Sequence, residues 1–289
     1  MNILIRADSS SQIGLGHIMR DLVLAQQYPH ATITFACRNL AGNIMDKIPY
    51  PVHILNSNDP KELIALIYSL QIDMVIFDHY GIDETFEKEV KEQTGVSILS
   101  LDDTYQKHHC DILLNHNISA DKNRYIGLIP THCELRCGHE FTLIRDEFRK
   151  EKVRIREKTY DIFIAMGGAD TTNLTLNILK TLSDSLNICV VTTTANAHLD
   201  TLEAYTNKKK NLSLHINSTN IAQLLHESRL AIITPSVMVH EVLFMEVPFI
   251  AIKTAKNQED IAAYLEKNGV DILRHFEKKS FLALLEKLL

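Results

Sequence analysis

Short apolar, β-branched runs alternate with stretches of helical period along this chain, and the alternation occurs as two successive series. The first series has runs at residues 2–6, 32–37, 52–55, 74–78 and 97–101. Between them, sets such as Ile18, Leu22 and Ala25, or Leu63, Ile64, Ile67 and Leu70, place apolar side chains on one helical face. Strands separated by such helices build a parallel sheet with crossover connections. The second series opens with Asp161 to Met166 followed by Gly167-Gly168. It continues with a helix from Asn173, strands at 188–192, 212–216 and 230–234, a helix from Ser236 to Met245, a strand at 249–252 and a helix from Gln258. The expectation is an α/β protein of two Rossmann-like doubly wound domains, residues 1–147 and 148–289, facing each other across a cleft. The charged stretch 145–158 is read as the link between them. Ligands of such sheets bind beyond the carboxyl ends of the strands, so chemistry is expected in the loops there.

Composition narrows the classes of function. A length of 289 residues exceeds the usual domain of about 100–150, and 45% hydrophobic residues suffice for two cores. With a net charge of -6 and a basic run no longer than Lys208-Lys209-Lys210, the chain lacks the electrostatic footprint of a nucleic-acid binder. Five scattered Cys residues suit a reducing, cytoplasmic setting. No apolar stretch reaches the roughly 18 uncharged residues of a membrane span, and Arg6 and Asp8 interrupt any leader-like start.

The loop from Ala7 to Gly16 is long for a strand-to-helix connection, where 2–6 residues are usual. Asp8, Ser9, Ser10 and Ser11 supply polar groups, while Gly14 and Gly16 permit close approach of backbone to a ligand. His17 follows on the first turn of the helix, where the dipole favours the neutral ring, able to accept a proton. The Gly14-x-Gly16 pair is not a dinucleotide fingerprint. Met19 stands where the third glycine belongs, and Arg38, not an acid, ends the second strand. No Gly-x-x-x-x-Gly-Lys-Ser/Thr motif is present either.

Other loops fall on the same rims. Tyr80, in Asp78-His79-Tyr80-Gly81, either offers its hydroxyl to a substrate or packs at an edge. Asp102 and Asp103 point to opposite sides of a strand end, which favours a cap or an interdomain hydrogen bond over a shared metal. The His108-His109-Cys110, His132-Cys133 and Cys137-Gly138-His139 groups have poor zinc spacing. In the second half, backbone N–H groups near Gly167 and Gly168, and at the turn of Ser236 and Val237, could receive phosphate. Glu241 could accept ribose hydroxyls or serve only as a helix-dipole partner. Asn257, in Lys256-Asn257-Gln258-Glu259, could hold sugar hydroxyl or acetamido groups.

Taken together, the strings Arg6–Arg20, Asp78–Gly81, Cys110–Asn115, Met166–Gly168 and Lys256–Glu259 closely resemble the UDP-sugar hydrolase family of pseudaminic acid biosynthesis, the PseG family. That family is similar in fold to the GT-B glycosyltransferases, including the enzyme that makes lipid II. The resemblance implies a metal-independent, cofactor-free, inverting hydrolysis of UDP-2,4-diacetamido-2,4,6-trideoxy-β-L-altrose at its anomeric carbon–oxygen bond. It further implies a cytoplasmic role leading toward flagellin glycosylation, with other enzymes of the pathway as candidate partners. Under it His17 is the general base, assisted by Tyr80 and Asn257. Asp8, Gly14, Gly16, Gly167, Gly168, Ile221, Ser236, Val237 and Glu241 belong to the substrate, the last six of them to the nucleotide. Val237 and His240 depart from the family pattern, which is richer in hydroxyl groups at the turn and has Asn before the Glu. Backbone donors at that turn survive the change. The rival readings are a GT-B glycosyltransferase passing the sugar to an acceptor hydroxyl, and a non-catalytic nucleotide-sugar-binding protein.

Overall fold

All of residues Ile3 to Ala7 are buried, which a strand achieves when both faces of its sheet are covered. This strand, β1 (Asn2–Ala7), is followed by α1 (Gly16–Ala25), β2 (Thr32–Arg38), β3 (Val52–Leu55), α2 (Pro60–Leu70), β4 (Met74–Asp78), α3 (Glu84–Thr94), β5 (Ser97–Leu101), β6 (Ile112–Asn115) and β7 (Glu134–Cys137). The seven strands are all parallel, in the order β3-β2-β1-β4-β5-β6-β7. The computed structural model describes residues 1–10, 12–14 and 16–289; Ser11 and Leu15 of the first loop lie outside the described residues.

Alternation along the strands divides the core of this unit into two layers. Ile3, Ile5 and Ala7 pack with Ile18 and Leu24 of α1, while Leu4, Val75 and Phe77 pack on the other face with Leu63 and Ile67 of α2 and Val90 of α3. Each of these aliphatic side chains contributes roughly 1.5–3 kcal/mol on burial. Local chemistry fixes the helix ends. Asp59 accepts from Lys61 N at 2.8 Å with Pro60 at the first position of α2, and Asp83 accepts from Phe86 N at 2.9 Å to start α3.

The second unit comprises α4 (Asp146–Lys152), β8 (Tyr160–Ala165), α5 (Leu174–Leu179), β9 (Ile188–Thr192), α6 (Leu199–Thr206), β10 (Leu212–Ile216), α7 (Ile221–His226), β11 (Ser228–Ile233), α8 (Met238–Phe244), β12 (Phe249–Ile252), α9 (Glu259–Lys267), β13 (Ile272–Leu273) and α10 (Lys278–Leu288). Its six parallel strands run β10-β9-β8-β11-β12-β13. Ile162, Ile164, Ile232 and Ile250 form its core with Ile178, Leu202, Phe281 and Leu285 from the helices. No helix among the described residues is long and apolar enough to cross a membrane.

The units divide at Leu143/Ile144, four residues before the boundary expected from sequence. The charged stretch is correspondingly more than a link. It contains α4, whose Phe148 is fully buried, and its charges are satisfied inside the second unit. Arg145 pairs with Glu241, Lys152 with Glu246 and Arg156 with Glu151. Dense charge masked the helix because one aromatic residue supplies most of its anchoring.

In each sheet the first strand, β1 or β8, lies between neighbours reached by winding in opposite directions. The crevice this leaves is at the carboxyl ends of β1 and β4 in one unit and of β8 and β11 in the other.

A buried polar network behind β5 has its own pH signature. The Glu87 carboxylate accepts from Ser100 Oγ at 2.6 Å and His109 N at 2.6 Å, and pairs with His108 Nδ1 at 2.8 Å. Burial opposes charge on His108, but its interactions with Asp102 and Glu87 outweigh that and push it up to about 9. A group raised on folding stabilises fully below its unfolded value, near 6.5, and loses that contribution as pH rises through its folded value. Urea midpoints are therefore expected to fall between pH 7 and 9, by the equivalent of about 2 kcal/mol. His108→Gln should flatten that slope; an equally steep decline in the variant would refute the assignment.

Candidate active site

The first crevice holds a His–Asp pair. Asp78 ends β4 with 1% exposure, and His17 sits in the first turn of α1, also buried. His17 Nδ1 lies 2.6 Å from Asp78 Oδ1. Arg20, one turn further along α1, donates Nε to Asp78 Oδ2 at 2.6 Å and Nη1 to Asp103 Oδ2 at 2.8 Å. Burial alone would raise the Asp78 carboxyl, but Arg20 and His17 overcome it and hold it below the usual range. An ionised carboxylate only accepts hydrogen bonds, so Nδ1 carries a proton, and in the neutral ring the lone pair is the one on Nε2. The dipole argument from sequence thus omitted the group that fixes the tautomer.

Tyr80 meets the His17 ring edge-on, with centroids 4.7 Å apart, and donates its hydroxyl to Asp103 at 3.0 Å. Partial burial and the Asp103 charge push its hydroxyl up to about 12, so it remains a donor at neutral pH. Asp103 therefore braces Arg20 and Tyr80 within the first unit. Asp102 turns away to accept from Thr104 N at 2.8 Å and Tyr125 Oη at 2.8 Å. A cavity of about 150 Å³ is lined by His17, Asp78, Arg38, His79 and Tyr80 among others. A larger one, about 470 Å³, shares His79 and Tyr80 and extends toward Asp102 and His108.

Asp8 is not presented to a ligand in this structure. It is 1% exposed, and it accepts from Arg6 Nη1 and Arg38 N on Oδ1 and from Arg6 Nη2, Arg38 Nε and His79 Nε2 on Oδ2. These bonds fill the roughly four lone-pair positions of a carboxylate. They also hold Asp8 far below the usual carboxylate range despite burial, with His79 and Arg6 the strongest contributors. Its work is to fix Arg38 and His79 at the cavity wall. Asp8→Asn leaves the fully buried Arg6 without its counter-charge and should cost about 3–5 kcal/mol in urea denaturation. A loss below about 1 kcal/mol, the range of exposed pairs, would show that the ion pair is not holding the loop.

The loop between Asp8 and His17 is closed by a paired turn. Gly14 N donates to Ser10 O at 2.8 Å, and Ser10 Oγ accepts from Ile13 N at 2.9 Å. Gly14 has φ of 86°, a conformation that disfavours side chains. Gly16 begins α1, and a Cβ there would meet nothing within 4 Å, so neighbouring packing does not demand its glycine.

In the second unit Gly167 has φ of 83°, and a Cβ on Gly168 would come within 3.0 Å of Thr193 Oγ1. Gly168 thus has a packing reason for being glycine. Asp170 accepts from Leu174 N at 2.8 Å and Thr175 N at 3.0 Å, satisfying the start of α5. Ser236 and Val237 form the turn before α8, which starts at Met238; Ser236 Oγ is 3.2 Å from Thr234 Oγ1, and Val237 is exposed. Ile221 is the first residue of α7 and half-buried. Glu241 is 2% exposed and receives Nε and Nη2 of Arg145 at 2.5 and 2.8 Å. Burial pushes its carboxyl up against the pull of Arg145. Asn257 is exposed in a short 3-10 turn, Lys256–Gln258, after β12.

Sequence reasoning assigned no role to Arg20 or Asp78, gave Asp103 only a cap or an interdomain hydrogen bond, and read Arg38 only as an argument against a dinucleotide. The three-residue step from His17 to Arg20 on one helical face was the available signal. As to zinc, Cys110 and Cys133 approach to 3.6 Å between sulfurs, and no group of three or more metal-ligating side chains is assembled among the described residues.

No family model matches the chain. A relative from Campylobacter jejuni, UDP-2,4-diacetamido-2,4,6-trideoxy-beta-L-altropyranose hydrolase, is 47% identical over 272 residues, covering 94% of this chain and 98% of the relative. This chain belongs to that hydrolase family. Membership makes it an enzyme of nucleotide-sugar hydrolysis. Its fold is that of GT-B proteins. MurG of Acinetobacter baumannii aligns with a TM-score of 0.64 at 13% identity, over 99% of this chain and 90% of that one. HepE of Anabaena, solved in complex with UDP-glucose, aligns with a TM-score of 0.60 at 10% identity, over 99% and 89%.

Proposed function

We propose that the protein hydrolyses UDP-2,4-diacetamido-2,4,6-trideoxy-β-L-altropyranose to the free sugar and UDP by direct attack of water at the anomeric carbon. The observation that carries this reading is His17, whose Nε2 lone pair is left free by the hydrogen bond from Nδ1 to Asp78. Nε2 takes a proton from water while its oxygen bonds to the anomeric carbon. The anomeric carbon–oxygen bond breaks, and its electron pair leaves with the diphosphate oxygen of UDP. Asp78 stabilises the imidazolium as it forms, as the acid of a catalytic triad does.

A single displacement inverts configuration. Supporting it, Asp8, Asp78 and Asp103 are all engaged in ion pairs, so none is offered as a covalent nucleophile. Arg38, with Nε and N on Asp8, has Nη1 and Nη2 without a partner among the described residues and lines the small cavity. In this reading it holds a sugar oxygen, and Tyr80 and Asn257 assist. Gly14 and Gly16 would let the backbone at those two positions approach the substrate. The second unit offers the nucleotide the backbone of Gly167 and Gly168, the turn at Ser236 and Val237, and Ile221. Glu241 would take the ribose hydroxyls with Arg145 still bound, since each carboxylate oxygen can accept a second hydrogen bond. UDP is a stable leaving anion, so the reaction is proposed to proceed without a divalent ion.

The test is a proton NMR time course on a panel of UDP-sugars in excess chelator. UDP and one inverted anomer should appear first, without any acceptor. A retained first anomer, dependence on an added acceptor, or complete suppression by chelator would overturn the proposal.

A further inference from the structure

Asp21 lies one helical turn beyond His17 on α1, is fully buried, and has no hydrogen-bond partner at either carboxyl oxygen. The charged and titratable groups that face it are Asp78 at the end of β4, Arg20 on its own helix and Cys37 on β2. Arg20 aims its guanidinium at Asp78 and Asp103 instead. Burial pushes the Cys37 thiol up to about 12, so it adds no anion at neutral pH.

Two ionised carboxylates here would be adjacent anions with only acceptor atoms between them, out of reach of water. One proton resolves this, because a protonated carboxyl gains a donor and its neighbour is the acceptor it lacks. We propose that Asp21 is held as the neutral acid and donates to Asp78, so that the two carboxyl groups carry one negative charge between them. Burial, and then the charge on Asp78, both drive Asp21 well above the ordinary carboxylate range, in agreement with this arrangement.

The consequence reaches His17 through Asp78. A single charge, partly countered by Arg20, orients the imidazole. A second unneutralised charge would compete with the imidazole for Arg20 and disturb the bond that orients the ring. Asp21 is thus a positioning residue: it touches neither substrate nor water, and its proton is not consumed in turnover. Its kinetic role rests on the proposed hydrolysis, whereas its protonation does not.

The experiment has two arms. Infrared spectra of the protein at neutral pH, with carbon-13 in aspartate, should show the carbonyl stretch of a protonated carboxyl that disappears in Asp21→Asn. In kinetics, Asp21→Asn keeps a neutral donor and should retain kcat within about threefold with an unmoved pH profile, whereas Asp21→Leu should lose about tenfold or more in kcat at similar KM. Absence of the carbonyl band, or a loss beyond about 100-fold in a folded Asp21→Asn variant, would overturn the inference. Should the asparagine variant not fold, the isotope-sensitive band of the wild-type protein decides alone. The spectrum is read without substrate, so failure of the hydrolase reading would leave that result intact.

Discussion

Replacing His17 with Asn is expected to lower kcat by about 10²–10⁴-fold while leaving the affinity for UDP within about twofold. The asparagine amide can still donate to Asp78, so the Asp78–Arg20–Asp103 chain that supports the crevice stays intact. What disappears is the lone pair presented to water. Turnover should fall with little change in KM, since an interaction made only in the transition state is removed. Calorimetric titration with UDP separates this from misfolding, and wild-type turnover in the variant would eliminate His17 as base.

Asp78→Asn should cost as much, up to about 10⁴-fold, although residue 78 does not touch substrate in this account. An amide placed where Asp78 stands can donate to Nδ1, so the ring proton moves to Nε2 and blocks the lone pair needed for water. The same change leaves Arg20, which is buried to a large degree, with Asp103 as its remaining anion. Combining Asp78→Asn with His17→Asn separates the two effects. If both act through one base, the double variant loses little more than either single one. Losses that multiply would mean that Asp78 contributes independently of His17.

The fold was readable because parallel strands covered on both faces are nearly continuous apolar runs. The runs at 32–37, 74–78 and 97–101 match β2, β4 and β5 to within a residue. Strands and helices that rest on neighbours were harder to see. β6 (Ile112–Asn115) is not among the runs read from sequence, and β7 (Glu134–Cys137), with glutamate and arginine in a short strand, carries little apolar pattern. In α4 a single buried Phe148 offsets a run of charge.

The position of His17 at the head of α1 follows from sequence, since the glycines and the following helical period fix where the helix begins. Its partner does not. Asp78 lies 61 residues away, and only the strand order, which sets β4 beside β1, brings the two together. Asp8 shows the opposite failure. A carboxylate at a strand end looks like a ligand-binding group until Arg6 and Arg38 are seen to consume it. The sequence contains those arginines, but their convergence on one carboxylate comes from the pleat of β1 and its pairing with β2.

The most direct measurement is hydrolysis in water enriched in oxygen-18, with mass analysis of the UDP released. Attack on the anomeric carbon leaves the UDP phosphates unlabelled, the new oxygen residing on the sugar. Oxygen-18 in the β-phosphate would show that water attacked phosphorus instead, and would contradict the role assigned to His17.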